Sequence, residues 1–298
     1  MQRKALQQGQ ATLVVSLPAK WVHKHDIVKG QSLEVVEEDN TIVISTESKE
    51  KEIKKEFNID EHVGEFNKYI LNYFYQKGYD EVKINFSNPE QRQKIIGSIS
   101  LGRFDIISRE KKSITIKSLM PTDITKFDTF LRKAFLIIID MGEKIIEAIK
   151  NKEYVYLTEI KENEKINNKY CDLCHRILNK KMKIDSENII FLYCLVRDLE
   201  KVGDSYRELC NNWDKSVSKD ILTIFKSVHD YFRSYYELYY EFSKEKTDYL
   251  FNRRKILLEE CKKRLEKANK SETLVLFYFM EIIEGVFALK APLFLMKL

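Results

Sequence analysis

Between residues 122 and 291, apolar positions recur among Lys, Glu and Tyr with no proline and only three glycines, Gly142, Gly203 and Gly285. Such a stretch predicts long helices, since neither of the two strongest helix breakers interrupts it. Its polar breaks fall near 151–153, 185–188, 211–218, 244–248 and 269–271. They leave six helical segments of roughly 20 to 30 residues each. The first part of the chain follows a different pattern. Residues 10–17 (QATLVVSL) and 33–45 (LEVVEEDNTIVIS) are β-rich, the second carrying a hairpin turn at 38–40. Between them PAKWVHKHDIVKG predicts one short helix, with Pro18 in its first turn and Gly30 in the turn that follows.

After a charged linker, KEKEIKKE, comes an amphipathic helix with Val63, Phe66, Tyr69, Ile70 and Phe74 on its apolar face. Then EVKINF, a helix at about 89–101, FDIISRE and SITIKSL predict a small β-α-β-β unit ending at Pro121. The expected fold class is multidomain and mainly α. A β-rich domain covers 1–47, a small α/β connecting unit 48–121, and a helical domain 122–298, divided at 213/214.

Composition narrows the class. Hydrophobic residues at 44% and charged residues at 33% exclude a disordered or collagen-like chain. The apolar runs, such as residues 189–196, fall short of the ~20 residues that span a bilayer, so no transmembrane segment is expected. MQRKALQQGQ is not a hydrophobic signal segment, and five cysteines are an odd number for a disulfide framework. A cytoplasmic location is the expectation. The net charge of +5 is small, so any nucleic-acid surface must be local. Up to Gly30 there are five bases (Arg3, Lys4, Lys20, Lys24, Lys29) against Asp26, whereas 31–47 holds five acids and no base. One positive and one negative face suit docking onto phosphates. A segment of 47 residues with four short strands is also too small for a core of its own, so it should dimerise.

These residues carry a resemblance. The RK start, the turn at 9–12, Ser16 to Pro18, Trp21 and the Ile27-x-Lys29-Gly30 turn into LEVV resemble the swapped-hairpin DNA-binding domain of AbrB- and MazE-type regulators. More closely, they resemble the variant heading archaeal phosphate-uptake regulators (PhoU-like). The resemblance implies two chains interleaving hairpins, with Arg3, Lys4, Lys20 and Lys24 on DNA. Six long helices could form one bundle or two; the resemblance implies two three-helix bundles. Residues 196–209 (VRDLEKVGDSYREL) and 278–291 (YFMEIIEGVFALKA) are weak internal matches. The family's E-x-x-x-D motif is met by Glu200 and Asp204, while Glu281 faces Gly285 where the second acid would stand. Further donors implied are Glu162 and Glu164, with Asn167 in place of a carboxylate. The implied cofactor is a divalent or transition metal: Mg, Mn, Fe or Zn.

The acidic pair also makes sense without the family. Residues four apart share a helical face and repel by a few tenths of a kcal/mol, and Gly203 between them costs about 1 kcal/mol relative to Ala. Two unfavourable choices in one turn point to a compensating ligand with a preference for hard oxygen donors. The competing reading is that Arg197, Lys201 and Arg207 neutralise the acids. Cys171, Cys174 and His175 spell C-x-x-C-H, but inside a helical run with no second pair at ligand spacing, which predicts two buried or half-buried thiols on a bundle helix. The aromatic run 231–242 is expected to be core packing. No phosphate-loop, dinucleotide, nucleophile-elbow or H-E-x-x-H motif is present, and nothing argues for an enzyme. The expected function is regulation of phosphate uptake, with DNA and the ATPase of a phosphate ABC transporter or a signalling protein as partners. The alternative is a transcriptional regulator responding to an unrelated ligand or partner.

Overall fold

The computed structural model describes residues 2–38, 41–46, 52–61, 66–99, 103–119, 123–180 and 187–297. The chain divides into two compact units, Met1–Glu52 and Ile53–Leu298. In the first, β1 (Leu6–Gln8) pairs antiparallel with β2 (Thr12–Val14). Gly9, at φ +77°, supplies the left-handed residue that this tight reversal requires. The β-rich stretch 10–17 thus contracts to a three-residue strand. Pro18, extended at ψ 124°, precedes α1 (Ala19–Lys24), and Gly30 at φ +86° turns the chain into β3 (Leu33–Glu38). β3 pairs antiparallel with β4 (Thr41–Thr46). Residues 39–40 of the expected hairpin turn lie outside the described residues.

The second unit opens with a strand that the charge pattern concealed. Within the presumed linker, β5 (Lys54–Asn58) runs parallel to β6 (Glu81–Asn85). It is an edge strand, so its lysines and glutamate project to solvent while the backbone pairs inward. α2 (Phe66–Gln76) crosses between the two strands. α3 (Pro89–Ile99) then leads to β7 (Phe104–Arg109) and β8 (Ser113–Ser118), giving the order β5-β6-β8-β7. Val82, Ile84, Ile114 and Ile116 point to the buried face, with Glu81, Lys83 and Asn85 on the other. A register shift between Ile106 and Ser108 marks a bulge, at which Ile107 is exposed. The apolar face of α2 differs from the expected one. Ile70, Leu71, Phe74 and Tyr75 are buried, and Tyr69 is 53% exposed, because α2 packs against α6 as well as the sheet. Val63 and the side chain of Phe66 lie outside the described residues.

The rest is helical: α4 (Phe127–Asn151), the short α5 (Leu157–Ile160), α6 (Asn163–Asn179), α7 (Ile189–Asn212), α8 (Lys219–Tyr240), α9 (Lys244–Leu265), α10 (Lys270–Ala288) and the terminal α11 (Lys290–Leu295). Six of these are the long helices of the sequence pattern. Lys152, left-handed at φ 63°, ends α4. The break before α9 falls at 241–243, ahead of the expected 244–248, because the Ser243 side chain caps α9 by accepting from the Lys246 amide at 3.2 Å. α4, α6 and α7 pack on one another, as do α8, α9 and α10. The two sets meet along α7–α10 and α4–α8 and share one continuous core.

Close helix crossings explain two of the body's glycines. A Cβ on Gly142 would lie 2.1 Å from the His229 ring, and one on Gly203 would lie 2.8 Å from Asn167 Oδ1. Gly203 therefore has a packing reason and does not require a ligand. Tyr231, Phe232 and Tyr235 are fully buried in this core, as expected of the aromatic run, whereas Tyr240 and Phe242 at its far end are exposed. Among the described residues, no helix is long and apolar enough to cross a membrane.

Candidate functional site

In the first unit the four expected DNA contacts are all exposed. Arg3 and Lys4 immediately precede β1, and Lys20 and Lys24, four apart, share one face of α1. The acidic Glu34 and Glu37 lie on β3, so the bases and acids sit on different elements. None of the described side chains of this unit is buried. Leu13 is 70% exposed, Val28 68% and Ile42 68%. Register places Leu33 opposite Thr46, Val35 opposite Ile44 and Glu37 opposite Ile42, so Leu33, Val35, Ile42 and Ile44 share one mainly apolar hairpin face with Glu37 and Thr46. Such a face exposed in a unit none of whose described side chains is buried marks an interaction surface.

The acidic residues expected in the helical body separate into two groups. Glu164 on α6 and Glu200 and Asp204 on α7 come together, whereas Glu162 and Glu281 do not join them. Glu162 is exposed and bonded to Lys165, which holds its carboxyl below the usual range. Glu281 is exposed on α10. A Cβ at Gly285, where the family's second acid would stand, would lie 3.0 Å from Val202 on α7. Asn167, fully buried, donates to the Ala134 carbonyl at 2.9 Å and accepts from Cys171 Sγ at 3.8 Å, bridging α6 to α4.

At the centre of the cluster stands Arg207. Its Nη1 donates to Glu164 Oε1 at 2.8 Å and to Asp204 Oδ1 at 2.9 Å, while Nε and Nη2 donate to Glu208 Oε1 at 3.1 and 3.0 Å. Glu164 is only 3% exposed, and burial together with Asp204 raises its carboxyl pKa. The half-buried Glu200 carboxyl is pushed up to about 7, first by desolvation and then by Asp172, Asp204 and Glu164. A metal here needs several ionised oxygens with free lone pairs. Two of the candidate carboxylates instead hold a guanidinium, and burial beside other acids raises the cost of ionising Glu200. Among the described residues, no three carboxylate, imidazole or thiol donors are grouped so as to hold a metal ion. The residues present do not fit the metal that the resemblance implies.

Sequence reasoning missed the neighbouring charge network. Asp172, buried on α6, is paired with the buried Arg103 and accepts from Gln76 Nε2 at 2.6 Å. One turn on, the wholly buried Arg176 donates to the Tyr75 and Tyr79 carbonyls at 3.0 and 2.8 Å and is paired with Asp80. Its guanidinium lies 4.7 Å from the Tyr75 ring centroid, a cation–π contact. Lys180 reaches the same Asp80 carboxylate at 2.7 Å. These pairs fasten the small sheet layer to α6, with Arg176 and Lys180 sharing the Asp80 carboxylate. The available signal was a set of charged residues, four apart, on the otherwise apolar face of INNKYCDLCHRIL. In the same helix Cys171, Cys174 and His175 are buried; desolvation raises both thiol pKa values and lowers that of His175 to about 4. All five cysteines are free thiols.

Residues 6–54 match the family model of the MazE bacterial antitoxin, described as antidote-toxin recognition. No curated protein and no solved structure matches the chain. The matched span includes Lys20 and Lys24 and leaves Arg3 and Lys4 just outside it.

Proposed function

We propose that this chain is a DNA-binding regulator that acts as a homodimer through its first unit, with the second unit as its input or partner-binding body. One observation carries the reading: the first unit buries none of its described side chains, yet presents both a mainly apolar hairpin face and exposed bases. A second copy covers such a face at once, and two copies double the bases that can meet phosphates. The MazE-type match supports the same assignment, since it falls on the segment whose resemblance implies a dimeric DNA-binding domain. Free thiols support a cytoplasmic location.

The test is fluorescence anisotropy of the full chain on duplex DNA from the gene's own upstream region, across a salt series, with light scattering for mass. With roughly six to eight phosphates engaged, log K against log salt should have a slope near −5 to −7, from about −0.9 per phosphate. Lys20→Ala with Lys24→Ala should flatten the slope by about 3 to 4 for a dimer. A monomer, or undetectable binding at low salt, refutes the proposal.

The finer reading is regulation of phosphate uptake, with a phosphate transporter ATPase or a signalling protein as partner. It is supported by six long helices in two mutually packed sets and by Glu200 and Asp204 in α7. A deletion strain whose phosphate uptake and transporter transcripts match the wild type would refute it. The second reading, response to an unrelated ligand or partner, is favoured by Arg207, whose guanidinium engages the expected ligands Glu164 and Asp204.

A further inference from the structure

We infer that His23 is a further DNA contact of the first unit, and one whose charge follows pH, so that DNA affinity rises on mild acidification. This rests on the reading of that unit as a dimeric DNA binder. α1 has six residues, each turned by about 100° from the last. Lys20, His23 and Lys24 therefore fall within an arc of about 100°, and all three are exposed. Trp21 and Val22 take the opposite side of the helix and are half-buried. His25, at the C-cap, lies on the Trp21 side, the two ring centroids 5.3 Å apart. The outward face of α1 thus carries two fixed cations and one titratable group beside them.

One proton counts here because the positive charge of the unit is modest. Up to Gly30 five bases stand against a single acid, Asp26. Asp26 follows the helix, its amide donating to the His23 carbonyl at 3.4 Å, and Lys29 comes next in the same turn. The acids Glu34 and Glu37 lie on β3, a different element. Histidine is the side chain whose charge ordinarily changes between pH 5 and 8. A phosphate beside it favours the charged form, so binding draws a proton and acid strengthens binding. A dimer gains two cations on this face, and with them a salt slope steeper by about 1.8, at about 0.9 per phosphate. Glu200 also titrates in this range, its carboxyl being pushed up to about 7, but it stands in the helical body and is common to every variant compared.

The experiment is fluorescence anisotropy of the full chain on duplex DNA from the gene's own upstream region, as salt series at pH 5.5 and pH 7.5, with light scattering to confirm equal mass. Wild type should bind at least about fivefold more tightly at the lower pH, with a slope steeper by about 1 to 2. His23→Gln should lose most of that gain, whereas His25→Gln should keep it. His23→Lys should bind at pH 7.5 as tightly as wild type does at pH 5.5 and lose the pH dependence, a rescue by fixed charge that a merely structural role would not give. Wild-type affinity that ignores pH overturns the inference, and so does a His23→Gln that keeps the whole gain. Absence of binding at both pH values in low salt is a separate result: it refutes the DNA-binding reading and takes this inference with it. Should His23→Gln fail to fold, the comparison of His23→Lys with wild type decides alone.

Discussion

Replacing Glu200 with glutamine should stabilise the protein above neutrality, an unusual outcome for removing a polar group from a packed helix. The folded state raises this carboxyl from 4.5 to about 7. Between those values the native chain holds a proton that the unfolded chain has released, so stability is intact near pH 4.5 and falls as pH rises through 7. At 1.36 kcal/mol per pH unit the full displacement corresponds to about 3 kcal/mol, and water at the half-buried side chain lowers the expected penalty to roughly 1–3 kcal/mol. Glutamine keeps the shape and carries no charge, so Glu200→Gln should gain that amount at pH 8 and almost nothing at pH 4.5.

His175 and His229 work in the opposite direction. Each is held at about 4 against an ordinary 6.5, so their contribution is full above 6.5 and is lost as pH falls toward 4. The quantity to plot is therefore the wild-type-minus-variant difference, from which both histidines cancel. Urea unfolding in the presence of a chelator, followed by Trp213 fluorescence in a Trp21→Phe background, supplies it; Trp213 is buried in the helical body and the chain has two tryptophans. A difference that stays flat with pH, or a variant less stable at pH 8, would refute the reasoning.

Asp172→Asn should cost about 3–5 kcal/mol, because it leaves the buried Arg103 without its carboxylate; urea midpoints at neutral pH measure it. Gly142→Ala should lower stability by roughly 1–3 kcal/mol, since the new methyl falls 2.1 Å from a ring held between helices. If Gly142→Ala with His229→Ala restores no part of that loss, the clash is not its origin. Asn269→Ala should cost about 1 kcal/mol, because Asn269 and Glu272 form a reciprocal capping box at the start of α10; calorimetry reads the shift, and an unchanged midpoint would rule it out.

Much of the architecture follows from local rules that operate on a few neighbouring residues. Absence of proline over 122–291 determined the six long helices, and the breaks at 151–153, 211–218 and 269–271 coincide with their ends. Gly9 and Gly30 determined the reversals of the first unit, since their positive φ is a backbone property visible in the residue type. The exposed apolar hairpin was also legible, because a segment that small cannot bury it.

Tertiary structure decided what local pattern cannot encode. β5 is a strand only because β6 lies beside it, and edge strands tolerate the charges that disguised it as a linker. Gly203 looked like the cost of a ligand site and is the close crossing of α7 on α6. Glu164 and Glu162 are two residues apart in sequence, yet one is buried against Arg207 and the other is in solvent with Lys165. Spacing along a helix establishes which residues share a face. Only packing establishes which charge stands opposite, and at Glu164 that charge is the chain's own guanidinium.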